Sequence, residues 1–335
     1  MQSEQKSGKY VLIGDLCMDV FMQVAGYPEA GGDGTVQAMH QHAGGSAANT
    51  AIALAKLGGE PTLLTHTGSD IWAQQLLPVL EATGVRTDSI VQEKHGQTGL
   101  TFLVVSSDAE RTMFTYRGAN RNLHPDEILS SQFTDVDFLH ISSYACLVAP
   151  QAQAVRKAVQ MAVQKNIKIS LDVGVEPATD ARDMLQELLS HLALIVLGEA
   201  EALELTQKMT LAAAIENLIE SGVQTIALKL GKDGCRIINQ NQDIYLPGIP
   251  VQAVDSTGAG DAFCAGMMHG LTLGWQLQMA GSFANALGAL AASRWGAGEE
   301  LPTLKEVSSF LSLNNTSVND PVISHILAEL IKENK

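Results

Sequence analysis

The run Asp255-Ser256-Thr257-Gly258-Ala259-Gly260-Asp261-Ala262-Phe263 sets small residues between two carboxylates, a pattern that suits group transfer. Ahead of it, the short segment 252–254 follows a loop holding Pro247 and Pro250 and is expected to be a strand. Behind it, Phe263, Met267, Met268 and Leu271 recur at helical spacing, so a helix is expected over 262–273. Between the two, Gly258, Ala259 and Gly260 let backbone N–H groups converge on an anion, and the helix N-terminus adds donors and partial positive charge. Asp261 stands where that field is strongest. A carboxylate would repel an anion held by such a turn. It makes sense there as the group that takes a proton from a hydroxyl attacking a bound phosphoryl group. The competing reading makes Asp261 a helix cap and the glycines a chain reversal.

Asp15 and Asp19 lie at or just past the apolar strand expected over 10–13, a common place for ligand-binding groups in α/β folds. A solvated loop is the alternative for Asp15. Residues 26–34 carry Pro28 and four glycines and form a loop before a short strand at 35–42. Gly44-Gly45-Ser46-Ala47-Ala48-Asn49 then opens an alanine-rich helix ending at Gly58-Gly59, with the first glycine pair leaving room for a ligand against the backbone. The Gly-x-Gly-x-x-Gly spacing of a dinucleotide fold is missing, which disfavours a nicotinamide oxidoreductase. A Walker-type ATPase is disfavoured in the same way, by the lack of Gly-x-x-x-x-Gly-Lys-Ser/Thr.

The remaining elements must position these groups. Strands are expected over 61–68, 98–105 and 111–116, with a helix over 71–83 and a polar turn at 106–110. Arg111, Met113, Thr115 and Arg117 share one face by alternation. With 35–42, this hairpin would make a small sheet outside the main domain. From 136 onward, apolar strands at 138–142, 167–173, 193–197 and 225–229 alternate with helices at 152–164, 181–191 and 211–221. That is the rhythm of a parallel sheet covered on both faces. Helices over 277–294 and 304–311 follow, and 314–335 is expected to be a separate final helix with a loose approach.

The formal charge of −15 argues against nucleic acid as a partner. Cys17, Cys146, Cys235 and Cys264 are scattered, so neither a zinc site nor a disulfide framework is suggested, and the histidines show no ligand spacing. A polar N-terminus and the lack of a long uncharged apolar run predict no membrane association and a cytoplasmic location.

The full 255–263 string resembles the C-terminal signature of the PfkB (ribokinase-like) sugar kinases, and Gly44–Asn49 resembles their N-terminal signature. The resemblance runs from about 10 to 311. It implies an α/β fold, a three-layer α/β/α sandwich with a mainly parallel sheet, and a single domain over 1–335 with lid strands from about 16–42 and 98–118. The implied activity is transfer of the γ-phosphoryl of Mg-ATP to a primary hydroxyl of a sugar or sugar acid; a nucleoside kinase and a non-catalytic binding protein are the alternatives. Asp261 matches the catalytic base and Gly258, Ala259 and Gly260 the anion hole. Asp19, Gly44, Gly45 and Asn49 match sugar-binding positions, and Arg117 is placed to reach a substrate carboxylate or phosphate unless it is a solvated lid residue. Lys229 and Gly231, in Lys229-Leu230-Gly231-Lys232-Asp233-Gly234, match the nucleotide-side loop, a segment that also reads as a hairpin turn. Asn285 falls near the base. Glu201 matches a glutamate that orders Mg²⁺ through water, although Gly198 stands where the family has asparagine. Asp255 and the Thr257 carbonyl match positions for a monovalent cation such as K⁺. The lid sheet is the implied homodimer surface.

Overall fold

Strand β1 (Lys9–Ile13) shows how the chain builds its layers. Successive side chains of a strand point to opposite faces. Tyr10 and Leu12 therefore enter one core and Val11 and Ile13 another. A strand apolar on both faces must lie inside a sheet covered on both sides. The computed structural model describes residues 7–106, 111–318 and 321–333 and has that architecture.

The other strands are β2 (Cys17–Val24), β3 (Val36–Gly44), β4 (Glu60–Gly68), β5 (Ile90–Glu93), β6 (Gly99–Val105), β7 (Arg111–Tyr116), β8 (Phe138–Ser142), β9 (Lys168–Asp172), β10 (Leu194–Gly198), β11 (Ile226–Lys229), β12 (Gly234–Ile238) and β13 (Asp243–Pro247). The main sheet has the order β13-β12-β11-β10-β9-β8-β1-β4-β5. It is parallel from β5 through β11 and antiparallel over β11-β12-β13. The helices are α1 (Ser46–Lys56), α2 (Ile71–Thr83), α3 (Gln151–Gln164), α4 (Val175–Asp180), α5 (Arg182–Leu188), α6 (Glu199–Thr206), α7 (Leu211–Glu220), α8 (Ala259–Thr272), α9 (Leu277–Ala292), α10 (Leu304–Val318) and α11 (Pro321–Glu333). Apolar side chains of α1, α2 and α8–α11 fill one core, and those of α3–α7 fill the other. Three layers result, an α/β/α sandwich with a mainly parallel sheet.

A second sheet, β3-β2-β6-β7, stands apart from the first. Asp19 pairs with His42 on one side and Thr101 on the other, so these three share a face. Met22 pairs with Met39 and Val104, and Phe102 with Phe114, on the opposite face.

Four features depart from the sequence reading. Segment 252–254 is not a strand. The sheet ends at edge strand β13, and Val254 and Asp255 instead donate their N–H groups to the Ala292 carbonyl at 2.8 and 3.3 Å. Strands β5 and β13 were not expected, and β12 only as the far arm of the hairpin turn at 232–234; each is short and only partly apolar. The helix expected over 181–191 is α5 followed by a 3₁₀ turn. Finally, α10 runs on to Val318, so the separate final helix is α11 from Pro321, and it packs into the core through the fully buried Ile326 and Leu330. Most of the polar turn at 106–110 lies outside the described residues.

Candidate active site

Glycine 258, the N-cap of α8, has φ 76°, and a Cβ there would press on Ala297 at 2.8 Å. Only glycine adopts this turn without strain. It delivers Asp261 in the first turn of α8, partly buried in a cleft. Burial pushes the Asp261 carboxyl up to about 6, with the charge of Asp172 adding to the rise and the Asn49 hydrogen bond and Lys229 opposing it. Asn49 Nδ2 donates to Asp261 Oδ2 at 2.9 Å, and Asn49 Oδ1 accepts from the Gly298 N–H at 3.1 Å. Asn49, expected to hold substrate, thus holds the carboxylate expected to act as base.

Of the three small residues before Asp261, Ala259 has its N–H occupied by the Ser256 carbonyl at 3.2 Å. Gly260 is different. The nearest atom to a Cβ there is Lys229 Nζ, at 3.4 Å, so the first turn of α8 and an ammonium face the same space. Lys229, at the end of β11, pairs with Asp172 at the end of β9 at 2.9 Å. Burial works against its charge, but Asp172 outweighs it and the ammonium is held in its charged form. Asp172 was missed in the sequence, although it ends an apolar strand where ligand groups gather.

Asp19 is buried and has its carboxyl pushed up to about 7 by that burial, with the Thr101 hydroxyl opposing the rise and the charge of Asp261 adding to it. Its Oδ1 has no hydrogen-bond partner. The Asp19 carboxyl lies against Gly44, where any Cβ would overlap it, and a Cβ on Gly45 would overlap the Asp15 carbonyl. The glycine pair was expected to admit a ligand; here the chain's own aspartates take that room. Arg117 is not a solvated lid residue either. Its Nε and Nη2 bind both oxygens of Asp15 at 2.6 and 2.7 Å, and Nη2 also donates to Gln151 Oε1 at 2.6 Å. Arg117 Nη1 is buried without a partner.

A cleft of about 540 Å³ opens beside Gly260, which lines it together with Lys229, Gly231, Ile249, Pro250, Phe263 and Asn285, among others. Gly231 has φ 59° and nothing within 4 Å of a Cβ position, so it leaves open space. Asn285 is buried and donates to the Leu246 and Pro247 carbonyls at 3.2 and 3.3 Å. It fixes the rim of the cleft. The turn Gly231–Asp233 joins β11 to β12, so the hairpin reading of Lys232-Asp233-Gly234 also holds.

Glu201, in the first turn of α6, folds back so that its Oε2 lies 2.5 Å from a Cβ position on Gly198. The carboxylate thus occupies the room an asparagine at 198 would need. An oxygen ligand at a helix start suits a hard cation such as Mg²⁺. Asp255 Oδ1 accepts from the Thr257 N–H and hydroxyl at 3.0 and 2.7 Å, and Oδ2 accepts from the Gly296 N–H at 3.1 Å. These bonds lock the loop beside the anion site. The 3₁₀ turn Gly298–Glu300 also binds the lid: Glu299 Oε2 accepts from the Ala43 N–H at 3.3 Å and Oε1 lies 3.6 Å from His42. No ligand role for this loop is legible from its residue types, because its contacts come from the Gly298 N–H and the Glu299 side chain meeting residues distant in sequence.

The profile of the "pfkB family carbohydrate kinase" matches residues 7–304. A ribokinase of Staphylococcus aureus is 28% identical over 311 residues, covering 90% of this chain and 99% of that protein. An ATP-dependent ribose-1-phosphate kinase of Halopiger xanaduensis is 31% identical over 304 residues, covering 89% and 96%. A crystal structure from Escherichia coli, in complex with ATP and Mg²⁺, superimposes with a TM-score of 0.83 at 25% identity, covering 92% of this chain and all of that one.

Proposed function

Because the chain belongs to the pfkB family of carbohydrate kinases, we propose that it transfers the γ-phosphoryl of ATP to a primary hydroxyl of a sugar, with Asp261 as general base. The observation that carries the reading is the placement of Asp261 between two chemically distinct spaces. On one side stand the first turn of α8 and Lys229, next to an open cleft. On the other stands buried Asp19, whose carboxyl is raised first by burial and further by the charge of Asp261.

The nucleotide supplies the phosphoryl group, and Mg²⁺ lowers its charge. The cleft with Gly231 and Asn285 at its rim fits the adenosine, and Glu201 suits a metal held through water. Asp255 and the Thr257 carbonyl are assigned to a monovalent cation such as K⁺ beside the anion site. Asp19 accepts hydrogen bonds from sugar hydroxyls through its unpartnered Oδ1, with Gly44 and Gly45 shaping the backbone behind it. Gly258 sets the turn, and the free donors of the α8 terminus, at Gly260 and Asp261, stabilise charge on the transferring oxygens. Asp261 orients the attacking hydroxyl and accepts its proton. Phosphoryl transfer is loose and asks more for orientation than for strong deprotonation.

Residues 1–335 form one kinase domain in this reading, with the small sheet as its lid, working in the cytoplasm. The outer lid face leaves Met39, Phe102, Phe114 and Tyr116 exposed. Such an apolar patch suits a second copy of the chain. The test of the activity is ADP release from Mg-ATP across sugars and nucleosides, run beside Asp261→Asn. Turnover that survives that substitution would sink the mechanism.

A further inference from the structure

We propose that Asn120 is a positioning residue: it fixes the root of the small sheet on the main sheet and so sets where Asp19 and Arg117 stand relative to Asp261. The inference rests on the kinase reading and adds to it the group that holds the acceptor side in place.

Asn120 lies in the 3₁₀ turn Gly118–Asn122 that follows β7, and it is fully buried. A side-chain amide has two N–H donors and two acceptor positions on its oxygen. Here every one is used. Oδ1 accepts from the Leu16 N–H at 2.8 Å and from the Thr65 hydroxyl at 2.9 Å. Nδ2 donates to the Leu16 carbonyl at 3.0 Å and to the Arg117 carbonyl at 2.9 Å. Leu16 links β1 to β2, and the amide pairs with both of its backbone groups as a neighbouring strand would. Thr65 belongs to β4 of the main sheet, so one side chain ties the exit of β1, the main sheet and the end of β7 together. Strand β6 starts at the same point: Gly99 pairs with Cys17, and a Cβ on Gly99 would overlap Asn120 Nδ2. Three of the four strands of the small sheet, β2, β6 and β7, thus leave or rejoin the main body at Asn120.

The acceptor-side groups hang from this root. Asp15 precedes Leu16, Arg117 supplies one of the carbonyls bound by the amide, and Asp19 follows Cys17 by two residues on β2, beside Thr101 of β6. Asp261 and the cleft belong to a different part of the molecule, built from α8, α9 and the ends of β11 and β12. A hydroxyl held by Asp19 therefore meets Asp261 only if the two sheets keep a fixed relation. Phosphoryl transfer depends on positioning, and a misplacement of about 1 Å can cost about 10²-fold in rate. Loss of the amide would leave the Leu16 N–H and carbonyl unpaired inside the protein and free the root to shift.

The experiment compares Asn120→Ala with the wild type in three ways. They are amide hydrogen exchange without ligand, calorimetric titration with Mg-ADP, and ADP release from Mg-ATP with D-ribose, D-fructose and D-glucose. Exchange in β2, β6 and β7 should be at least about ten-fold faster, while β8, β9 and α8 keep their rates. For the sugar the wild type turns over best, KM should rise at least about ten-fold while Mg-ADP affinity stays within about two-fold. A merely structural loss would reduce the folded fraction, lowering kcat and leaving KM unchanged. That outcome overturns the proposal. So does faster exchange across both sheets, unchanged exchange in the small sheet, or nucleotide affinity that falls as far as the sugar KM rises. If Asn120→Ala does not fold, Thr65→Val removes only the tie to β4; the same split is then expected at about two- to three-fold, and its absence overturns the proposal. A wild type that releases no ADP with any sugar overturns the kinase reading instead, and the exchange pattern still decides whether Asn120 holds the sheet.

Discussion

Asn49 and Asp261, 212 residues apart, share a hydrogen bond of 2.9 Å in which the amide donates to the carboxylate. The same amide accepts from Gly298, so one side chain joins α1, α8 and the 3₁₀ turn that grips the lid. Its donated bond favours the ionised carboxylate and opposes the burial that pushes Asp261 up to about 6. Asn49 therefore tunes the base as well as placing it.

Replacing Asn49 with alanine should raise the Asp261 carboxyl further. A base must be ionised to accept a proton, so kcat/KM should climb with pH through about 6 in the wild type and level off above. In Asn49→Ala the rising limb should move to higher pH, and the loss should be larger at pH 6 than at pH 8. A residue that only touched sugar would raise KM without moving the limb. The pH profile of kcat/KM separates the two.

Asp261→Asn should cost roughly 10²–10⁴ in kcat while leaving sugar and nucleotide binding in place. Its effect on stability has a definite sign. The folded carboxyl titrates near 6, above its ordinary 3.8, so the folded state binds the proton more tightly. The stabilisation this gives is full below 3.8 and is lost as pH rises through 6. Thermal unfolding from pH 4 to 8 should therefore show a smaller fall in stability for the asparagine variant than for the wild type. A variant that melts lower than wild type at pH 8 would contradict this account.

The layers were legible in the sequence because β1, β8, β9, β10 and β11 are apolar on both faces and alternate with amphipathic helices. Strands β12 and β13 were not, since Arg236, Asp243 and Tyr245 interrupt the apolar pattern; the edge position of β13 tolerates Asp243 and Tyr245, and Arg236 on β12 pairs with Asp243 across the two strands. The glycine-aspartate turn stood out because its residue types are unusual together. The partners of its residues did not, as they depend on long-range pairing: Asp172 with Lys229, Asp15 with Arg117, Asn49 with Gly298. Arg117 shows the limit most clearly. Alternation placed it on a lid face, but only the fold reveals that Asp15, just after β1, fills its fork.

Two glycines two residues apart should respond differently to alanine. Gly258→Ala forces a side chain into φ 76° and against Ala297, a backbone strain of about 1–3 kcal/mol, so thermal stability should fall. Gly260→Ala meets only Lys229 Nζ at 3.4 Å and should fold normally. Its methyl group would nonetheless stand between the helix donors and the ammonium, where the transferring oxygens are placed. The expected result is a kcat at least about ten-fold lower with a melting temperature close to wild type. A Gly260→Ala enzyme with full turnover would remove the α8 terminus from the mechanism.

The outer lid face carries the last prediction. By register, Met39, Met22 and Val104 form one row, and Phe102 with Phe114 another, all on the face opposite Asp19. Met39 is 57% exposed and Phe114 is 60% exposed, so this face leaves large apolar groups in water. Pairing two such faces in a two-fold dimer would bury them symmetrically. Light scattering on the purified chain should give twice the monomer mass, and Phe114→Asp should give the monomer, because a charge in the middle of an apolar contact is left without a partner. Since Asp19 and Thr101 alternate with these rows on the same strands, the monomeric variant should also lose sugar affinity more than nucleotide affinity. A monomeric wild type, or an unaltered dimer in Phe114→Asp, would place the assembly surface elsewhere.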